Sequence, residues 1–117
     1  LVIDGVVAAE PVVVANDHLA EMVVAADPAL LAELAERYLR PLDALPPERR
    51  RTLEVTLSAW LGHDGDRLAV AAALVVHPQT VSYRMSQIRR ELGPFLASPR
   101  DRMALRLALL GRGVHLD

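Results

Sequence analysis

The sequence predicts an all-α fold, a compact helical bundle behind a short Val-rich extended segment at the amino terminus, and two observations predict it. Proline follows a capping residue or another proline at Asp27-Pro28, Pro46-Pro47, His77-Pro78 and Ser98-Pro99. At the first helical position the missing N–H of proline costs nothing, so each pair reads as a helix start. Downstream of each start, apolar residues recur at steps of three and four, the rhythm of one helix face. Together these signals divide the chain into about five helices.

A chain of 117 residues is one domain by length and is long enough to bury a core without covalent staples. It contains no cysteine, which removes disulfides, thiolate metal sites and cysteine nucleophiles and makes a cytoplasmic home the simplest expectation. No apolar run approaches the roughly 20 residues of a membrane span, so no membrane partner is expected. Leu1 to Ala9 has an acid at Asp4 and no basic leader, which argues against a signal peptide. The first residue is Leu, and the chain is expected to be a piece of a longer protein.

The net charge of -2 by itself argues against a nucleic-acid partner, but the charge is unevenly distributed. Residues 1–48 carry two Arg against nine acids, a net of -7, and residues 49–117 carry eleven Arg against six acids, a net of +5. The carboxy-terminal half is therefore the basic one. All the basic side chains are Arg, which a coding bias explains more simply than function does.

Element by element, Leu1 to Ala15 has Val-rich runs broken by Gly5 and Pro11 and suits extended segments or a connector. Asn16 or Asp17 is placed to cap a short helix with Leu19, Met22 and Val23 on one face. Asp27-Pro28 opens a helix in which Leu31, Leu34 and Tyr38 repeat at helical spacing, and Pro41 ends it. Pro46-Pro47 opens the next, with a buried stripe of Leu53, Leu57, Trp60 and Leu61 and an expected left-handed exit at Gly62. Arg49, Arg50 and Arg51 sit in its first turn, where the helix dipole disfavours cations. Either they form a solvated face or they reach phosphate from a neighbouring helix. Ser98-Pro99-Arg100-Asp101 is a capping-box variant opening a final helix expected to run to Leu110 and stop at Gly111. Met103, Leu105, Leu107, Leu109 and Leu110 leave that helix almost no polar face, so it is either buried centrally or shared with a second chain.

Residues 66–92 carry the functional signal. Asp66 is placed to cap a helix whose Ala69, Ala71, Ala72 and Ala73 offer a small surface for a close crossing. Val70, Leu74 and Val76 are spaced to lock the corner, and His77 and Pro78 open a second helix. There Val81, Met85, Ile88 and Leu92 form one apolar stripe. Gln79, Ser82, Tyr83, Ser86 and Arg90 run along the opposite side. This is the arrangement of a helix-turn-helix whose second helix enters the major groove, where Gln pairs with adenine edges and Arg with guanine. Tyr83 suits a thymine methyl or a phosphate, and Arg89 and Arg90, farther along, suit backbone phosphates.

These residues resemble a known family. Leu39 to Leu110 is similar to the C-terminal helix-turn-helix domain of PucR-type regulators, the group of purine-catabolism and sugar-diacid regulators. The resemblance rests on Leu39-Arg40-Pro41-Leu42, on Thr52, Leu53, Thr56, Leu57, Trp60 and Leu61, and on Ala71 to Leu74. It continues through Val76, His77, Thr80, Val81, Tyr83, Arg84, Met85 and Ile88 and the closing Asp101, Arg102, Leu105, Leu107, Ala108 and Leu109. Residues 16–40 resemble the segment just upstream in that family. The resemblance implies a DNA-binding output domain fused to a metabolite sensor, with His77, Gln79, Thr80, Tyr83 and Arg84 in the reading-helix motif. Pro78 and Gln79 stand where the family frequently has Arg and Asn. Val75 stands where many helix-turn-helix proteins have a left-handed Gly, and a β-branched residue there is strained unless the turn is built differently.

Other chemistries are weaker. His63-Asp64-Gly65-Asp66 has too few ligands for a cation and reads as a polar turn. His18, His63, His77 and His115 show no ligand spacing and no Ser-His-Asp grouping. Arg84 reads equally as a phosphate clamp or as an ion-pair former with Glu54 or Asp101. The expectation is residues 1–27 as a connector from a missing upstream region and 28–117 as a helix-turn-helix DNA-binding domain. Its contacts to operator DNA would come from His77, Pro78, Gln79, Thr80, Ser82, Tyr83, Arg84, Ser86, Arg89 and Arg90. A homodimer and an upstream sensor domain are the expected partners; no cofactor, metal or catalytic residue is expected. The alternative is a helical protein-interaction or dimerisation module without DNA binding.

Overall fold

The starts marked by proline are helix starts in the structure, a computed structural model that describes residues 27–114. Helix α1 is Pro28–Leu39, followed by a 3-10 turn at Arg40–Ala44; α2 is Pro47–Gly62, α3 Arg67–Leu74, α4 Pro78–Leu96 and α5 Pro99–Gly111. Among the described residues every regular element is helical. The Val-rich opening and the short helix expected after Asn16 or Asp17 lie outside them.

Side chains satisfy the amino-terminal N–H groups of four helices. Asp27 accepts from Leu30 N at 3.0 Å, Asp66 from Ala69 N at 3.2 Å, His77 Nδ1 from Gln79 N at 3.0 Å and Ser98 Oγ from Asp101 N at 3.1 Å. Such caps are each worth about 1 kcal/mol. The capping box at Ser98 is only half formed, because the Asp101 carboxylate accepts from the Tyr38 hydroxyl of α1 at 3.3 Å instead.

Three helices exit alike. The N–H of Gly65, Val76 and Val114 each bonds a carbonyl five residues back, at Trp60, Ala71 and Leu109. Asp64, Val75 and Gly113 take the left-handed conformation that permits this. The exit of α2 therefore differs from the sequence expectation. Gly62 is an ordinary last helical residue, and the turn is made by Asp64 at φ 52° and Gly65 at φ 78°. Helix α5 stops at Gly111 as expected, and there the glycine also provides closeness: a Cβ would lie 2.9 Å from Leu31 Cβ, so glycine lets α5 approach α1.

The core forms where the stripes meet. Ala35 and Leu39 of α1, Leu53, Leu57 and Leu61 of α2, and Leu105, Ala108 and Leu109 of α5 are buried around Val81, Met85, Ile88 and Leu92 of α4. The most extensive helix pairing is α1 with α5. The apolar final helix is thus covered from within the chain, although Met103 stays exposed. Trp60, expected in the core, is half-buried; its ring lies under Gly65 on one side and receives the Arg89 guanidinium at 5.0 Å. Helix α4 runs past Leu92 through Pro94 to Leu96, whose carbonyl accepts from Arg102 at 2.8 Å.

Candidate nucleic-acid interface

Helix α3 crosses α4 through its small side chains. Val70 and Ala71 are buried at the crossing and Ala69 is half-buried, whereas Ala72 and Ala73 face solvent, so only part of the expected small surface is used. Leu74 and Val76 pack at the edge of the core beside the corner. The corner residue itself, Val75, holds φ 56° and ψ 51° with 88% of its surface exposed. The strain expected for a β-branched residue at this point is present, and no burial of its side chain offsets it.

On α4 the buried row Val81, Met85, Ile88 and Leu92 is matched by a row two residues earlier, Gln79, Tyr83, Ser86 and Arg90. A shift of two residues is about 200° on a helix, so the second row points away from the core. All four are exposed, Tyr83 at 65%. Ser86 Oγ donates to the Tyr83 carbonyl at 2.8 Å, which leaves its lone pairs outward.

The other predicted site residues flank this row. His77 is exposed and uses Nδ1 as the cap acceptor, leaving Nε2 as its N–H. Pro78 and Thr80 are half-buried. Ser82 Oγ accepts from Arg67 Nη1 of α3 at 3.1 Å. Arg84 is half-buried, and its Nη1 donates to Thr56 Oγ1 of α2 at 3.3 Å; the alternative of an ion pair with Glu54 or Asp101 is not realised, and Glu54 pairs with Arg112 while Asp101 accepts from Tyr38. Arg89 is exposed but lies over Trp60, to the side of the outward row.

Two arginines from outside α4 complete the surface: Arg49, for which a reach to phosphate was one of two expectations, and Arg67, for which none was. Arg49 of α2 reaches α4, where it donates to the side-chain oxygen Oε1 of Gln87 and places its guanidinium carbon 5.5 Å from the Tyr83 ring centroid. Arg67 reaches Ser82 from the start of α3. Both sit in the first turn of a helix, where a cation is disfavoured. That signal was legible for Arg49 through Arg51 but was not applied to Arg67.

A separate polar cluster lies between α2, the 3-10 turn and the end of α5. An open cleft there is lined by Asp43, Arg50, Arg51, Glu54 and Arg112. Arg112 grips Asp43 through two N–H groups at 2.7 and 2.9 Å and Glu54 at 2.8 Å. The hydrogen bond from Arg112 is the main cause that holds the Asp43 carboxyl below its ordinary range; burial opposes it, and the charges of Arg112, Arg50 and Arg40 reinforce it. The cluster satisfies itself and ties the carboxy-terminal turn to α2. Among the described residues no group of three metal-ligating side chains gathers, and no helix is long and apolar enough to cross a membrane.

A two-helix corner, a proline-opened second helix and an outward polar row on that helix define a helix-turn-helix of the DNA-binding, transcription-regulating class. Residues 53–110 match the family model of the PucR C-terminal helix-turn-helix domain, and the chain belongs to that family. An uncharacterized protein of Thermomonospora curvata is 48% identical over 59 residues, 50% of this chain and 33% of that protein. An uncharacterized protein of Mycobacterium tuberculosis is 36% identical over 96 residues, 82% of this chain and 22% of that protein. The carbohydrate diacid regulator of Escherichia coli is 36% identical over 76 residues, 64% of this chain and 20% of that protein. The chain thus spans a third or less of the length of these relatives. No solved structure matches it.

Proposed function

We propose that this chain is the sequence-specific DNA-binding output domain of a metabolite-responsive bacterial transcriptional regulator. The observation that carries the reading is the outward row Gln79, Tyr83, Ser86 and Arg90, held rigid by a buried row of the same spacing and left exposed. Gln79, in the first turn of α4, reads a base edge; Tyr83 packs on a thymine methyl or bonds a phosphate; Arg90 binds backbone phosphate. His77, Pro78, Thr80, Ser82, Arg84, Ser86 and Arg89 set or extend this surface. The greater length of the relatives supports an upstream sensor, and the regulator named among them supports metabolite control. Two copies in a cytoplasmic homodimer would meet half-sites about 34 Å apart or a multiple of that.

The rival reading is a helical interaction module without DNA binding, and the net charge of -2 favours it. Selection of duplexes from a random pool by the full-length protein, followed by a salt titration of the winners, separates the two. Enrichment of one sequence with affinity falling as salt rises supports the regulator. Failure to enrich, with no salt-dependent binding, leaves the interaction module.

A further inference from the structure

Arg49 is a cation with a neutral partner beside the outward row of α4. Its Nε donates to Gln87 Oε1 at 3.1 Å and its Nη2 donates to the same oxygen, so one edge of the guanidinium closes on a single amide carbonyl. That edge is the fork with which arginine holds carboxylate and phosphate oxygens. Its neighbour Arg50 lies 4.0 Å from Asp43, whereas among the described residues no carboxylate stands within ion-pair distance of Arg49. The guanidinium also rests over Tyr83, the exposed middle of the row. An acidic residue at position 87 would have neutralised this fork; a glutamine fills it without neutralising it.

We propose that the Arg49 fork is a seat for a DNA backbone phosphate, and that Gln87 occupies it in the free protein as a neutral stand-in for the phosphate oxygen. This inference rests on the DNA-binding reading above and adds to it a residue from a different helix. Phosphate brings a second, opposite charge to the bond, whereas the side-chain amide of Gln87 is neutral, so the phosphate displaces the Gln87 Oε1. Tyr83 keeps the guanidinium from swinging away during the exchange, because a cation over an aromatic face is held without using its N–H groups. Gln87, once released at the edge of the row, is left with a free amide beside the duplex.

A phosphate contact is independent of sequence, so the test needs no operator. The full chain is titrated with a fluorescent random-sequence duplex at several salt concentrations. The slope of log affinity against log salt is compared among wild type, Arg49→Ala, Gln87→Glu and Gln87→Ala. Loss of one phosphate contact makes the slope shallower by about 0.9. Arg49→Ala is expected to show that change, and so is Gln87→Glu, in which a carboxylate occupies the fork permanently. Gln87→Ala removes the stand-in that phosphate must displace and is expected to bind the duplex more tightly than wild type; weaker binding overturns the stand-in role. Arg106→Ala, which removes the same charge from α5, is the control for general electrostatics and is expected to keep the wild-type slope. Wild-type binding with an unchanged slope in Arg49→Ala or Gln87→Glu overturns the phosphate seat and leaves the DNA-binding reading standing. A slope change in Arg106→Ala equal to that of Arg49→Ala also overturns the seat. Absence of salt-dependent binding by the wild type overturns both. Gln87→Glu keeps size and shape, so the test survives even if Arg49→Ala is poorly folded.

Discussion

Arg112 Nη1 lies 2.8 Å from a carboxylate oxygen of Glu54, a side chain in the middle of α2 whose residue is only 3% exposed. A charge so far from water needs its partner, and the partner comes from just past the end of α5, 58 residues later. The same guanidinium holds Asp43, so three separate stretches of chain meet at one arginine.

Arg112→Ala is expected to destabilise the domain by about 2–4 kcal/mol. This is shifted below the range of about 3–5 kcal/mol for breaking a fully buried pair, because Arg112 keeps some contact with water. Urea denaturation of Arg112→Ala, Glu54→Gln and the double variant measures it. A double variant as destabilised as the sum of the singles would show that the two groups do not depend on each other.

Asp43 gives the stability a dependence on acid. Its folded pKa is lowered from 3.8, chiefly by the Arg112 hydrogen bond. The unfolded chain therefore binds the proton more readily than the folded one. The contribution of Asp43 is fully present above the ordinary carboxylate range and is lost as pH falls through the lowered folded value. Urea midpoints measured down a pH series should drop more steeply for wild type than for Asp43→Asn. Parallel curves would remove Asp43 as the source.

Val75→Gly is expected to raise the thermal midpoint. The left-handed conformation costs a β-branched residue about 1–2 kcal/mol, and glycine returns about 0.5–1 kcal/mol of that through the entropy of its unfolded state. With the side chain 88% exposed, little packing is lost, so a net gain of about 0.5–1 kcal/mol is expected. A lower midpoint would mean that the valine side chain contributes a contact worth more than its strain.

Gln79→Ala and Arg90→Ala should fail differently on selected DNA. The first is expected to cost about 1–3 kcal/mol at one base position and relax the choice there; the second should weaken all sequences alike and shallow the salt slope by about 0.9. Equal loss on every sequence for Gln79→Ala would take it off the list of base-reading residues.

The helix starts were legible because capping is local. A carboxylate, hydroxyl or imidazole two or three residues ahead of an N–H, in three of the four cases followed by proline, has few other conformations to satisfy it, and Asp27, Asp66, His77 and Ser98 all act as read. The α4 rows were legible for a similar reason, since a fixed rotation per residue converts spacing into faces. Helix exits were harder. A glycine near a helix end serves equally as a left-handed turn or as a point of close approach, and Gly111 is the second because Leu31, 80 residues away, lies against it.

What the sequence determined by itself was therefore everything set within one helical turn: the five helix starts, the buried face of α4 and the polar row opposite it. The tertiary structure decided which charges meet. Arg112 chose Glu54 and Asp43, Arg84 went to Thr56 and Arg49 to Gln87, pairings across 28 to 69 residues. An arginine side chain is long and its partners are numerous. Only the packing of α2 against α4 and α5, driven by apolar burial that is indifferent to charge, fixes which acceptor falls within reach.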